Sequence, residues 1–392
     1  MGVRFLLAIF LCWPSIAAGQ LTGRFFLERQ TFAPGDPVFL YFEVTNSGTE
    51  TENVAHADPY AFCSGYAIRV STDSPSDLDC TPRVIMGSCL SSDYLLEPGK
   101  SHVERILLNY EHKVDDPGVY DVQAIQTLAY ARGDLDPSGS MNNNVNVREV
   151  LHFRVDENAT PDGSAIQALV GQLKSDAPAV RREAARALAS LAPISWEDLL
   201  LSFAQAPQTK EWAPLALYRL NTARSLQALA DLLRTTEAGT SEHLQSAELL
   251  AKTGDLKWYP SLLETAQKHE NVANYVDYAA ESGRDKILPT LLTMMQNPDR
   301  ETIEANAVSA LGFTGSRTAV PILLDLLRSP DPSTSLRALY GLRQLTHRTI
   351  AGERWFDNPQ SQYPQWAQWW TREGINAPIY KAWECKEINL LP

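Results

Sequence analysis

The tightest set of ligand-type side chains in the sequence is Asp134-x-Asp136-x-Ser138-Gly139, with oxygen donors at alternate positions and glycine at the sixth, as a calcium loop begins. The pattern then stops. The twelfth position, where a bidentate glutamate would close such a loop, is Val145, and Pro137 interrupts the run. A polar turn continued by Asn142-Asn143-Asn144 accounts for the same residues. No metal and no cofactor is therefore expected.

Thiols come next. Cys63, Cys80, Cys89 and Cys385 follow an N-terminal apolar stretch that contains Cys12. None forms a C-x-x-C or a Cys/His pair at zinc-ligand spacing. In an oxidising compartment, three cysteines this close together imply at least one disulfide, and all four are disulfide candidates. They allow three full pairings, and the sequence does not choose among them. Cys63 beside Ser64-Gly65 reads as half a disulfide rather than as a nucleophile. His56, His102, His112, His152, His243, His269 and His347 are scattered without ligand spacing. There is no G-x-S-x-G, no H-E-x-x-H and no glycine-rich phosphate loop, so a non-enzyme is expected.

Aromatic residues are the last chemistry-bearing group. Five of the nine tryptophans lie between residues 355 and 383, and Trp366, Trp369 and Trp370 share one face of a helix. Such a face either stacks on carbohydrate or covers the end of an α-helical stack, and the cover is the expectation. A formal net charge of -13, with no basic run longer than Arg181-Arg182, excludes a phosphate-neutralising surface and hence nucleic acid.

The elements that must position these residues fall into distinct regions along the 392 residues. Residues 1–19 carry Arg4, the apolar run Phe5 to Trp13, and small residues at Ala17, Ala18 and Gly19. This is the build of a cleavable signal peptide, too short to span a bilayer, which needs about 20 apolar residues. A secreted or periplasmic protein without membrane insertion is expected. Residues 20–156 alternate with period two. Strands are predicted at Phe25–Leu27, Pro37–Asn46, Tyr66–Val70, Val103–Leu108, Gly118–Ala124 and Val147–Val155, punctuated by Pro34-Gly35, Pro98-Gly99 and Pro117-Gly118. An antiparallel, immunoglobulin-like β-sandwich follows. The polar segment 157–163 is a linker.

From residue 164 to 348 the period becomes helical and the pattern repeats. Pro260, Pro289 and Pro321 each precede a Leu-Leu pair and are spaced at 29 and 32 residues. Proline fits a first helical turn, where its missing N–H costs nothing. Second helices rich in Ala and Leu are predicted at Val180–Leu188, Thr302–Leu311 and Ser335–Leu345. About six hairpins begin near Ser164, Trp196, Ala223, Asp255, Arg284 and Ser316, the second and fourth degenerate. Residues 349–392 form a Trp-rich C-terminal cap.

Two resemblances attach to these residues. Phe32-x-Pro34-Gly35-x-Pro37-Val38-x-Leu40, Leu96-x-Pro98-Gly99 and Pro117-Gly118-x-Tyr120-x-Val122 resemble bacterial extracytoplasmic sandwich modules, including those similar to the bacterial intracellular proteinase inhibitor. Asp176-x-x-x-Val180-Arg181-x-x-Ala184-x-x-Ala187-Leu188 resembles the second helix of HEAT repeats. The first resemblance implies a sandwich, with protease inhibition as an alternative function. The second implies a solenoid that binds protein partners, of unknown identity, along a concave face of second helices. Arg181, Glu183, Arg186, Arg300, Glu304, Arg337 and Arg343 would lie on that face, their mixed signs naming no ligand class. The reading is an exported, non-catalytic protein-binding scaffold, with inhibition through the sandwich or glycan binding through the Trp segment as alternatives.

Overall fold

The computed structural model describes residues 21–56, 66–72, 92–112, 114–132, 141, 143–296, 301–350, 358–380 and 389–391. The stretch expected to be a signal peptide, all five cysteines, the Asp134/Asp136 loop and Arg300 lie outside these residues. The chain divides into two compact units that meet in sequence at Pro161 and Asp162.

The first unit runs through β1 (Leu21–Leu27), β2 (Thr31–Phe32), β3 (Phe39–Asn46), β4 (Glu52–His56), β5 (Tyr66–Thr72), β6 (Ser92–Leu96), β7 (Ser101–Leu107), a one-turn helix α1 (Leu108–Glu111), β8 (Gly118–Arg132) and β9 (Asn143–Val155). One sheet has the order β1-β3-β7 and is antiparallel. The other runs β2-β9-β8-β4-β6, with β5 also pairing β8. Alternation in β3 turns Leu40, Phe42, Val44 and Asn46 inward. They join a single core with Phe25, Ile106, Tyr120, Val122 and Phe153, drawn from both sheets. Gly35 and Gly99 sit at φ +81° and +74°, the left-handed region that the predicted turns require.

Two details depart from the sequence reading. β2 pairs β9 in parallel, so the larger sheet is mixed rather than purely antiparallel. Leu108 leaves the strand predicted for it and opens α1, where its neighbour Asn109 accepts the Val38 N–H at 2.8 Å. Asn46 is a polar residue in a core position because its amide is fully used. It donates to the carbonyls of Glu50 and Leu96 at 2.7 and 2.8 Å and accepts from Gly48 N at 2.9 Å.

The second unit holds α2 (Gly163–Gln172), α3 (Pro178–Leu191), α4 (Glu197–Ser202), α5 (Ala213–Leu220), α6 (Ala223–Thr235), α7 (Ser241–Lys252), α8 (Tyr259–Lys268), α9 (Ala273–Gly283), α10 (Leu288–Met295), α11 (Glu301–Leu311), α12 (Ala319–Leu327) and α13 (Pro332–Thr346). β10 (Arg348–Ile350), α14 (Tyr363–Arg372) and β11 (Asn389–Leu391) follow, with β10 and β11 paired in parallel. Prolines occupy the first turn of α3, α5, α8, α10, α13 and α14. Asp331 caps α13 by accepting from Ser333 and Thr334 N–H at 3.3 and 2.8 Å, and Thr222 with Ser225 forms a capping box on α6.

The helices alternate between two layers. Each second helix packs on the next in the series α3, α5, α7, α9, α11, α13, whereas the first helices meet far less, α4 with α6 being the main instance. Small buried residues permit the close spacing of the inner layer: Ala184, Ala187, Ala216, Ala247, Ala251, Ala279, Ala280, Ala307 and Ala338. Backbones come close where α11 ends against α13: a Cβ on Gly312 would lie 2.7 Å from the Gly341 Cα. Among the described residues no helix is long and apolar enough to cross a membrane.

Candidate functional site

An inner helix that buries Ala and Leu on most of its circumference leaves one narrow stripe for side chains of other kinds. On α3 the partly exposed positions include Arg182 and Arg186, and on α7 they include Glu248 and Lys252. On α9 they are Asn274, Asp277 and Glu281, on α11 Glu301, Ala305 and Ser309, and on α13 Arg337, Tyr340 and Gln344. Spacings of three, four and seven put each set on one helix face. Along the row arginines stand on α3, α5 and α13, α7 carries the Glu248 and Lys252 pair, and carboxylates predominate on α9 and α11.

The arginines are held rather than loose. Arg181 donates from Nη1 to Ser175 O at 2.6 Å and closes the turn before α3. The Arg186 guanidinium lies 5.0 Å over the Trp212 ring, and Arg182 Nε is 3.6 Å from Glu211. Arg343 lies 5.7 Å over Tyr340, and burial pulls its guanidinium below the usual range. Glu183 on α3 and Glu304 on α11 are half-buried. Thus Arg181 belongs to a turn, Arg186 and Arg343 to aromatic contacts, and Arg337 to the electrostatics of α9.

Asp277 is the unusual member. Its Oδ1 is shut off from solvent and accepts no hydrogen bond, and Arg337 Nε is likewise enclosed and donates none. Burial pushes the Asp277 carboxyl up to about 8, the Arg337 guanidinium two helices away pulls it back, and Glu281 one turn on pushes it further. Beside it the Tyr278 phenol is raised by burial and by Glu248, while Asn274 Nδ2 donates to it at 3.4 Å. Glu248 holds Lys252 at 2.6 Å on α7. These carboxylates went unnoticed in the sequence because Tyr275 and Tyr278 replace the expected Ala and Leu and disguise α9 as a degenerate repeat.

A second polar cluster joins the start of α7 to α9. Tyr275 Oη accepts Gly239 N–H at 2.9 Å and stands 2.6 Å from His243 Nδ1, with the His269 ring centroid 5.7 Å from that of Tyr275. Burial, then His269, lowers the His243 pKa. In the first unit, Glu104 is buried against Tyr66, whose hydroxyl donates to it, and His102 Nε2 is 3.9 Å from its other oxygen. Both clusters lie inside the fold of one unit and tie its parts together. Among the described residues no group of three or more His, Cys, Asp or Glu is arranged to hold a metal ion.

At the C-terminal end, α14 packs on α12. Trp366 is fully buried and Trp369 is 3% exposed, the two rings edge to face at 5.8 Å. A sugar-stacking platform needs exposed ring faces, and only Trp370 of the three offers part of one. Gly374 closes against Trp369 and Trp370, and Arg317 donates to the carbonyls of Gly374, Ile375 and Ala377.

Solved structures similar to the chain include the native conformation of alpha-2-macroglobulin from E. coli, at 12% identity and a TM-score of 0.19, over 88% of this chain and 26% of that one. Salmonella alpha-2-macroglobulin reacted with methylamine matches at 12% identity and a TM-score of 0.18, over 88% and 27%. The chain thus spans about a quarter of the length of these chains, and scores so low carry no argument about fold or role. No curated protein matches the sequence. Residues 166–247 and 260–343 match the family described as HEAT repeats, each range taking in three of the six helix pairs from α2 to α13. The helical unit of this chain matches HEAT repeats over these two ranges.

Proposed function

We propose that the chain is an exported, non-catalytic scaffold that holds a protein partner along the second helices of its HEAT array. The observation that carries the reading is the unbroken side-by-side packing of α3, α5, α7, α9, α11 and α13, which brings the partly exposed stripes of α3, α7, α9, α11 and α13 into one row. Rigid stripes of this kind suit protein recognition, because little side-chain or backbone freedom is left to lose on binding. Export rests on Arg4, the run Phe5–Trp13 and the small residues before Gln20.

A photo-crosslinking residue placed at Tyr340 on α13, or at Gln245 on α7, should capture the same protein from the exported fraction. The same residue at Asp325, exposed on the first helix α12, should not. Equal capture from α12, or capture from none of the three positions, removes the scaffold reading. A leader that stays attached in a cytosolic product removes the export part alone.

A further inference from the structure

Resting on the scaffold reading, we propose that the α9 segment of the row receives a basic side chain of the protein partner, arginine or lysine, with Asp277 as its accepting carboxylate. Two independent observations meet at this place. Carboxylates without a lysine of their own helix beside them gather on α9 and α11, whereas Glu248 on α7 is held by Lys252 and arginines stand on α3, α5 and α13, so a complementary partner is basic where it meets α9. Within that acidic stretch, Asp277 Oδ1 is enclosed and accepts no hydrogen bond, which is costly for a carboxylate oxygen unless an occupant supplies a donor.

The surroundings fit a cation. On α7, Glu248 is held by Lys252 at 2.6 Å. On α8 and the turn before it, Glu264 with Lys268 and Asp255 with Lys257 are paired among themselves. On α11, Glu301 and Glu304 add negative charge. Arg337 on α13 is the cation whose field reaches Asp277, yet it stops short of an ion pair. An incoming guanidinium or ammonium supplies the donor and the opposite charge together, and Tyr278 and Asn274 flank it.

Asp277 holds its proton up to about pH 8 before the cation arrives, so binding must release that proton. Affinity then rises with pH, by on the order of tenfold per unit well below the carboxyl pKa and less as it is approached. A buried Asp that was merely structural would not confer this slope on a ligand.

The probe is a fluorescein-labelled Gly-Ser peptide carrying three arginines, with the same peptide carrying citrulline as the neutral isostere, read by anisotropy on the full chain at pH 6 to 8. The arginine peptide should bind at least tenfold tighter than the citrulline peptide, and more tightly as the pH rises. Asp277→Asn should lose at least tenfold and flatten the pH slope. A charge-matched control, Asp325→Asn on the first helix α12, should keep both. Equal binding of the two peptides, no binding of either, equal loss in the control, or a slope that survives Asp277→Asn overturns the proposal. Should Asp277→Asn still crosslink the partner from Tyr340 at unchanged affinity, the cation site falls while the scaffold stands. If crosslinking from the row is absent in the parent chain, the scaffold itself falls.

Discussion

Replacing Asp277 with Asn should change how the stability of the helical unit depends on pH, with no ligand involved. The carboxyl titrates near 3.8 in an unfolded chain and is pushed up to about 8 in the folded one by burial. Between those values the folded state binds one proton more than the unfolded state, so stability falls as pH rises. The slope is about 1.4 kcal/mol per pH unit, or about 2.7 kcal/mol between pH 5 and pH 7, a window that lies inside both limits. Asn is isosteric with the protonated acid and has no proton to lose. The gain in stability of Asp277→Asn over the parent should therefore grow by about 2.7 kcal/mol from pH 5 to pH 7. His243 pulls the other way, since its lowered pKa makes stability rise with pH, but both proteins contain it and the difference removes it. Urea unfolding followed by tryptophan fluorescence is the assay. Every tryptophan beyond Trp13 lies at or after Trp196, so the signal reports the helical unit within the full chain. A difference that is flat with pH, or that shrinks as pH rises, refutes the argument.

Gly312→Ala should destabilise the array by about 1–3 kcal/mol in the same assay, because its Cβ would meet the Gly341 Cα backbone at 2.7 Å and cannot rotate away. Gly341→Ala should cost less, since it meets the Leu323 methyls at 3.0 and 3.1 Å and these can turn aside. Trp366→Ala empties a fully buried site and should cost about 3–5 kcal/mol, read as a lowered Tm, whereas Trp370→Ala should be far milder. Asn46→Ala strands the Leu96 carbonyl and the Gly48 N–H, and hydrogen exchange at Gly48 in the β3–β4 connection should rise to match a loss of about 2 kcal/mol.

Six of the sandwich strands were legible because residues such as Leu40, Phe42 and Val44 alternate, and Gly35 and Gly99 mark turns that only glycine adopts readily. β2, β4 and β6 were not: the first is two residues long, Glu52-Asn53-Val54-Ala55-His56 buries Glu52 and Asn53 against the usual preference of those side chains, and Ser92–Leu96 exposes Leu95 while burying Leu96. In the array, Pro260, Pro289 and Pro321 announced first helices because ring geometry and a missing N–H fit one helical position. The fourth pair was harder. Tyr275 and Tyr278 are buried where Ala and Leu were sought, and they fit because Tyr275 is anchored to Gly239 and His243.

The segregation of charge illustrates why a linear reading found only mixed signs. First and second helices alternate about every fifteen residues in the chain, so Asp198, Asp231 and Asp325 on first helices interleave with Arg186 and Arg337 on second helices. Both layers carry both signs, and only the pairing of helices shows which charges share a face. The same alanine packing that sorts the layers also perturbs Asp277. Inner helices that approach closely leave no path for a two-carbon side chain to reach water, whereas Lys252 and Glu248 have longer arms and find each other. A short acid on an inner helix is thus confined by geometry, and its proton is the direct consequence of the small residues around it. Lengthening the arm tests this. In Asp277→Glu the carboxylate gains a methylene to reach solvent, so the pH dependence of stability between pH 5 and pH 7 should lie between those of the parent and Asp277→Asn. A Glu variant with the full slope of the parent would show that confinement by the neighbouring helices is not what holds the proton.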